Sequence, residues 1–167
     1  MINLKRINEW GVSQAKLEFG KCCGSTKWVE AFIKSRPFHT TDSLFKVAES
    51  IWYALDKKDW LEAFSHHPKI GDLNAIKEKF HSTKHFAEGE QAGVQNASIE
   101  TLTEFISLNE VYEKKFGYIF IVCATGKSAE EMLAVLKERI KNNAAIEIKI
   151  AMEEQNKITK LRLEKIL

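Results

Sequence analysis

A short segment near the middle of the chain has the highest density of side chains that can do acid–base chemistry. It reads His66-His67-Pro68-Lys69-Ile70-Gly71-Asp72. Imidazole titrates near neutral pH, so a histidine here can accept or release a proton. Pro68 restricts the backbone of His67, Gly71 permits a turn, and Asp72 could orient an imidazole ring. The plainer interpretation is that one histidine ends a helix and that Gly71-Asp72 is an ordinary turn.

A second group of polar residues follows about twenty positions later. Glu88, Glu90 and Gln91 precede the pair Ala92-Gly93. A carboxylate beside a carboxamide offers hydrogen-bond acceptors and donors together, which suits a polar heterocyclic ligand. A solvated acidic loop is the alternative.

The remaining histidines raise the question of a metal site. His81 and His85 are four residues apart and would share one face of a helix. The glutamate that a zincin motif requires after the first histidine is absent, and Ser82-Thr83 disfavours a helix. We therefore expect no metal and no metal-based chemistry.

Two familiar catalytic signatures are excluded. Gly126-Lys127-Ser128 has the ending of a phosphate-binding loop, but Ile121 occupies the position of the required earlier glycine. No nucleophile-elbow motif accompanies a serine or cysteine. A nucleotide-hydrolysing loop and a serine or cysteine nucleophile are therefore not predicted.

Composition and charge narrow the class of protein. The chain has 167 residues, which fits one domain over residues 1–167, and its net charge is +2. No basic cluster indicates nucleic acid as a partner, and no apolar run is long enough to cross a membrane. Cys22, Cys23 and Cys123 give an odd count that is typical of reduced, intracellular thiols. We expect a cytoplasmic protein.

The elements that must position these residues are predicted to be helices. Apolar residues recur at helical spacing in six stretches. They begin near Ser25 or Thr26, near Asp42 or Ser43, near Asp59, at Ser98, at Ser128 and near Ala144. Gly117 is the predicted C-cap of the fourth stretch, and Ser128 with Glu131 forms a predicted capping box. Residues 119–124 are predicted to be buried and extended. Residues 69–97 show no sustained period and are predicted to form a long functional loop between the His-Pro and Glu-Gln motifs. The prediction is an all-α, single compact domain of seven or eight helices.

Taken in chain order, these motifs resemble the family of 2-oxo-4-hydroxy-4-carboxy-5-ureidoimidazoline (OHCU) decarboxylases. The resemblance covers nearly the whole chain. The matching stretches are Arg36-Pro37-Phe38, His67-Pro68-Lys69-Ile70-Gly71-Asp72, Glu90-Gln91-Ala92-Gly93, Leu108-Asn109, Tyr112, Lys115-Phe116-Gly117, Phe120-Ile121-Val122-Cys123-Ala124, Gly126-Lys127-Ser128, Arg139, Asn142, Glu147, Ala151, Glu154, Lys157-Ile158 and Leu161-Arg162-Leu163.

The resemblance implies a lyase of urate degradation that forms (S)-allantoin without cofactor or metal and that is often a homodimer. It implies that His67 is the catalytic acid–base group, together with Glu90 as the active-site carboxylate. The substrate-binding residues that it implies are Pro68, Glu88 as an alternative carboxylate, Gln91, the backbone of Phe120, Ile121, Val122, Cys123 and Ala124, and Arg162, which would meet a substrate carboxylate.

One position departs from the family pattern. The family often has a serine three residues before the Glu-Gln pair, where this chain has Ala87. Ala87 therefore leaves open whether the substrate is held at that point. A catalytically diverged helical binding protein of the same fold is the main alternative, and a metal-dependent hydrolase using His67, His81 and His85 is the third.

Overall fold

The computed structural model describes residues 4–68 and 98–167, and within those ranges it is entirely helical. The predicted all-α class is confirmed, and no strand lies in either range. Neither range contains a helix that is both long and apolar enough to cross a bilayer. The helices are α1 (Leu4–Glu9), α2 (Val12–Cys22), α3 (Thr26–Lys34), α4 (Thr41–Tyr53), α5 (Lys57–Ser65), α6 (Ile99–Phe116), α7 (Ala129–Arg139) and α8 (Ala144–Ile166).

The chain divides into two compact units. Unit 1 comprises Met1–His67 together with Gln155–Leu167, and unit 2 comprises Pro68–Glu154. The division falls within α8, between Glu154 and Gln155. The expectation of a single domain over residues 1–167 remains a prediction.

Unit 1 is organised around aromatic side chains. Helix α3 packs against α2, α4 and α5. Trp28 and Phe32 of α3 stack with their ring centroids 4.6 Å apart, and both side chains are fully buried. The Trp28 indole N–H donates to the Ala48 carbonyl oxygen at 2.9 Å. These large buried rings form the core that α3 shares with its neighbouring helices.

The helix starts in unit 1 only partly follow the expected residues. Ser25 caps α3 by accepting the Trp28 N–H, as predicted. Helix α4 is capped by Thr40 and not by Asp42 or Ser43, because Ser43 completes a reciprocal capping box. Helix α5 begins at Lys57, two residues before Asp59, with Asp56 as its N-cap residue and Asp59 as the reciprocal partner.

Helices α1 and α2 were not among the expected elements. Their apolar faces are narrow, since α1 buries only Ile7 and α2 buries only Ala15, Phe19 and Cys22. A face this narrow gives little helical periodicity in the sequence.

The described part of unit 2, from residue 98 onward, follows the sequence expectations closely. Helix α6 begins at its predicted cap Ser98 and ends at Gly117, whose φ of +81° favours glycine. Helix α7 begins with the predicted Ser128–Glu131 capping box. Between α6 and α7, residues 119–124 are neither helix nor strand, and Phe120, Ile121 and Cys123 are buried, as expected.

Candidate active site

His67 lies at the turn that follows α5, as the sequence predicted. Helix α5 ends at Ser65, and the His67 backbone N–H donates to the Phe64 carbonyl oxygen at 3.1 Å. Pro68 comes next and is exposed. Since proline has no N–H to continue the helix, the turn ends at His67. The His67 side chain is half-buried.

The same turn is held by a close backbone approach at Gly24. A Cβ atom added to Gly24 would lie 2.6 Å from both Cβ and Cγ of His66. Any other residue at position 24 would therefore have to displace the Cβ and Cγ atoms of His66, which lie close to the backbone and have little freedom to move. Gly24 allows the segment before α3 to pack directly against the turn that carries His67.

The imidazole of His67 is anchored by a hydrogen bond to α8. Its Nε2 lies 2.5 Å from Oε1 of Gln155, and Gln155 is completely buried. The Gln155 amide nitrogen donates in turn to the Thr159 hydroxyl at 3.2 Å. Because a carboxamide oxygen can only accept, this arrangement places the proton of neutral His67 on Nε2.

The surroundings of His67 favour its neutral form. Burial lowers the pKa of His67 to about 4, and the positive charge of Arg162 acts in the same direction. The hydrogen bond to Gln155 opposes this shift, while His66 adds slightly to it. At neutral pH the ring is therefore uncharged and can act as a base.

Arg162 lies in unit 1 on α8, two turns beyond Gln155. It is half-buried, and its guanidinium donates to the Lys21 carbonyl oxygen at 3.3 Å. Its charge acts on His67 and also on the thiols of Cys22 and Cys23. The structure thus brings together two of the residues predicted for the site, a neutral base and a guanidinium.

Cys22 and Cys23 are poor nucleophiles. Both are buried free thiols, and burial raises the pKa of each to about 12. Because the thiolate is the reactive form, neither can act as a nucleophile at neutral pH. This agrees with the absence of a cysteine-nucleophile motif.

The predicted backbone-contact segment lies in unit 2. Phe120, Ile121 and Cys123 are buried, whereas Val122 and Ala124 are half-buried. The Cys123 N–H donates to a carboxylate oxygen of Glu154 at 2.7 Å, and its carbonyl oxygen accepts from the Lys127 ammonium at 2.9 Å. Both backbone groups of Cys123 are therefore engaged within the protein.

A buried ionic cluster, formed by Arg139, Glu147, Tyr112 and Asn142, supports that segment. Arg139 pairs with Glu147 at 2.6 Å and donates to the Ile121 carbonyl oxygen at 2.7 Å. Its guanidinium carbon also lies 4.6 Å from the Phe120 ring centroid. Asn142 and the Tyr112 hydroxyl donate to the same Glu147 carboxylate. The cluster therefore anchors residues 120–124 through the Ile121 carbonyl group and through the Phe120 ring.

The second predicted motif lies outside the described residues. This applies to Glu90, Glu88, Gln91 and Ala87, and also to the metal candidates His81 and His85. Among residues 4–68 and 98–167, no three histidine, cysteine or acidic side chains form a group that could hold a metal ion.

Sequence reasoning missed the residue that holds His67. Gln155 sits in the polar run Glu153-Glu154-Gln155-Asn156, which is typical of a solvated helix face. Its helical spacing with the buried Ala151 and Ile158 is the signal that could have placed it inside.

Comparison with known proteins places this geometry in a family. A family model described as OHCU decarboxylase matches residues 8–164 of the chain. The chain belongs to the OHCU decarboxylase family. A solved relative, described as the crystal structure of OHCU decarboxylase in the presence of (S)-allantoin, is 39% identical. It superposes with a TM-score of 0.75 over 89% of this chain and 96% of that chain.

Curated relatives of this OHCU decarboxylase family member include larger proteins. The uric acid degradation bifunctional protein TTL of Arabidopsis thaliana is 37% identical over 150 residues, which are 89% of this chain and 46% of that protein. The uric acid degradation bifunctional protein of Bacillus sp. (strain TB-90) is 32% identical over 170 residues, 99% of this chain and 32% of that protein. The chain thus spans less than half the length of these two relatives.

Proposed function

We propose that this chain decarboxylates OHCU to (S)-allantoin in urate degradation, with His67 as the acid–base group and without a cofactor. The observation that carries the proposal is the neutral, half-buried imidazole of His67 beside the Arg162 charge. It occurs in a chain that is 39% identical to a structurally characterised OHCU decarboxylase. The relatives named for uric acid degradation support the pathway.

The substrate itself can accept the electrons that decarboxylation releases. The carbon–carbon bond to the carboxylate breaks, its electron pair moves into the ring, and CO₂ leaves. The ring imine nitrogen takes the negative charge and gains a proton from solvent. The resulting enol then transfers its hydroxyl proton to the neighbouring ring carbon, which becomes the stereocentre. Since the electron sink lies in the substrate, no pyridoxal or thiamine group is needed.

His67 is suited to carry that second proton. A neutral imidazole takes the hydroxyl proton and returns it to the ring carbon from one face, which gives a single enantiomer. Arg162 would meet the carboxylate before it leaves. Glu90, or Glu88 in its place, together with Gln91, would hold the polar ring, and Pro68 and the backbone of residues 120–124 would line the site.

A catalytically diverged binding protein is the second candidate. It is favoured by Ala87, which stands where the family often has a serine. Such a protein would bind (S)-allantoin or a related heterocycle but would not accelerate decarboxylation.

The test is a circular-dichroism assay on freshly generated OHCU. Wild-type protein should form one enantiomer of allantoin far faster than the spontaneous reaction, with and without chelator. His67→Gln should reduce the rate by at least about 100-fold, a loss typical of removing a general acid–base group. His39→Gln, at an exposed histidine, is the matched control. Racemic product at the spontaneous rate from the wild type would support the binding-protein alternative.

We also propose a homodimer in the cytoplasm, on the basis of the family resemblance. Light scattering coupled to size exclusion should give twice the 19.1 kDa of one chain. A monomer at micromolar concentration would contradict the dimer.

A further inference from the structure

We propose that Gln155 is a positioning residue that keeps the proton of His67 on Nε2, so that Nδ1 is the nitrogen that exchanges a proton with the substrate. The hydrogen bonds from His67 to Gln155 and from Gln155 to Thr159 carry the assignment of the tautomer. The assignment of Nδ1 to the substrate rests on the proposed function.

The hydrogen bonds of Gln155 run in one direction, from His67 to Thr159. Gln155 is completely buried, and its two amide atoms have different partners: Oε1 faces His67 at 2.5 Å, and Nε2 faces the Thr159 hydroxyl at 3.2 Å. An inverted amide would present its NH₂ group to His67 and would require the proton on Nδ1. The tautomer of His67 therefore depends on which way the Gln155 amide points.

Thr159 sets the direction of the Gln155 amide. Thr159 lies beside Cys23, and hydrogen bonding from Thr159 acts to lower the pKa of that thiol against the larger, opposite effect of burial. The Thr159 hydroxyl oxygen accepts from the Gln155 amide nitrogen at 3.2 Å. The amide then turns its NH₂ group toward Thr159 and its carbonyl oxygen toward His67. Both Thr159 and Cys23 are buried, so water does not compete for these bonds.

A glutamine anchors His67 differently from a carboxylate. A carboxylate bonded to an imidazole N–H would strongly stabilise the charged ring and raise its pKa. A neutral carboxamide fixes the same ring and the same tautomer without adding a charge. The ring is thereby held in place and still remains an uncharged base at neutral pH.

The test compares three variants with a matched control. Gln155→Leu removes the acceptor, Gln155→Glu adds a charge to it, and Thr159→Val removes the group that directs the amide. Gln14→Glu makes the same chemical change at an exposed glutamine and should leave all readouts unchanged. Urea unfolding of each variant identifies any that fails to fold.

The decisive readout is the ¹⁵N spectrum of the histidine side chains, which needs no substrate. Wild-type His67 should carry its proton on Nε2 at pH 7, and Gln155→Leu and Thr159→Val should show a mixture of tautomers. Gln155→Glu should raise the pKa of His67 by at least one unit. A wild-type ring protonated on Nδ1, or an unchanged tautomer in Gln155→Leu, would overturn the proposal.

Kinetics then test the role in catalysis. Gln155→Leu should lower kcat by roughly 10- to 100-fold with little change in KM, as for other residues that orient a functional histidine. In Gln155→Glu the acidic limb of the kcat profile should move upward in pH by the same amount as the pKa. An unmoved limb would overturn the assignment of Nδ1. If wild-type protein does not decarboxylate OHCU, the proposed function and the role of Nδ1 fail together, while the spectrum still decides the tautomer.

Discussion

The two units of the molecule bury polar groups in opposite ways. In unit 1, His67, Gln155 and Thr159 form a chain of neutral groups. In unit 2, Arg139 and Glu147 form an ion pair that is almost fully removed from solvent. The neutral chain orients its imidazole without a counter-charge and leaves it uncharged at neutral pH, whereas the ion pair requires both of its members to stay charged.

The difference follows from what each group has to hold. The ionic cluster fixes backbone, because Arg139 binds the Ile121 carbonyl oxygen while Glu147 collects bonds from Tyr112 and Asn142. A strongly paired charge suits a part that should not move. The neutral chain fixes a ring that must gain and lose a proton, and for that purpose a strong counter-charge would be a disadvantage.

Breaking the ionic cluster should have the largest effect. Glu147→Gln leaves Arg139 buried without its counter-charge, and we expect unfolding to become easier by about 3–5 kcal/mol. Urea unfolding measures this loss. The control is Glu138→Gln, which removes the exposed pair with Lys141 and should change stability by less than about 0.5 kcal/mol. A loss below about 1 kcal/mol in Glu147→Gln would mean that the cluster is not needed for stability.

The neutral form of His67 should make the free energy of unfolding depend on pH. The pKa of folded His67 is about 4, against about 6.5 in an unfolded chain. Between these values the unfolded state binds the proton and the folded state does not, so protonation favours unfolding. Stability should therefore be fully present above pH 6.5 and should decline by up to about 3 kcal/mol as the pH falls to 4.

The difference between wild type and His67→Gln isolates this contribution from other titrating groups. Urea unfolding at several pH values should show a shallower decline for His67→Gln than for the wild type between pH 6.5 and 4. Equal slopes for the two proteins would show that His67 has an ordinary pKa when folded.

The sequence predicted helix ends correctly where they depend only on neighbouring residues. Ser98, Gly117 and the Ser128–Glu131 box marked helix ends correctly because capping depends on neighbouring residues. Thr40 and Asp56 were missed because several adjacent polar residues can each cap, and only the final backbone selects one. The family resemblance pointed to His67 and Arg162, which the structure places in the same unit.

The contacts that orient the site depend on residues far apart in the chain. Gln155 is 88 positions from His67, and no local pattern relates them. Likewise, nothing in the sequence next to Arg139 or Glu147 shows that tertiary packing buries the two charges against each other. Gly24 is a similar case. Nothing in the segment Cys22-Cys23-Gly24-Ser25 shows that the Cβ and Cγ atoms of His66 pack closely against Gly24.

Substitution of Gly24 should therefore have a smaller effect that is centred on the His67 turn. In Gly24→Ala the new methyl group would meet Cβ and Cγ of His66 at 2.6 Å, and relief of this contact should cost about 1–3 kcal/mol. Because the turn must shift, decarboxylation should slow more than unfolding alone explains. The control is Gly20→Ala, where a methyl group meets nothing within 4 Å and alanine should stabilise α2 by about 0.5–1 kcal/mol. If both variants are equally stable and active, the close approach at Gly24 does not hold His67, and the bond to Gln155 alone positions the ring.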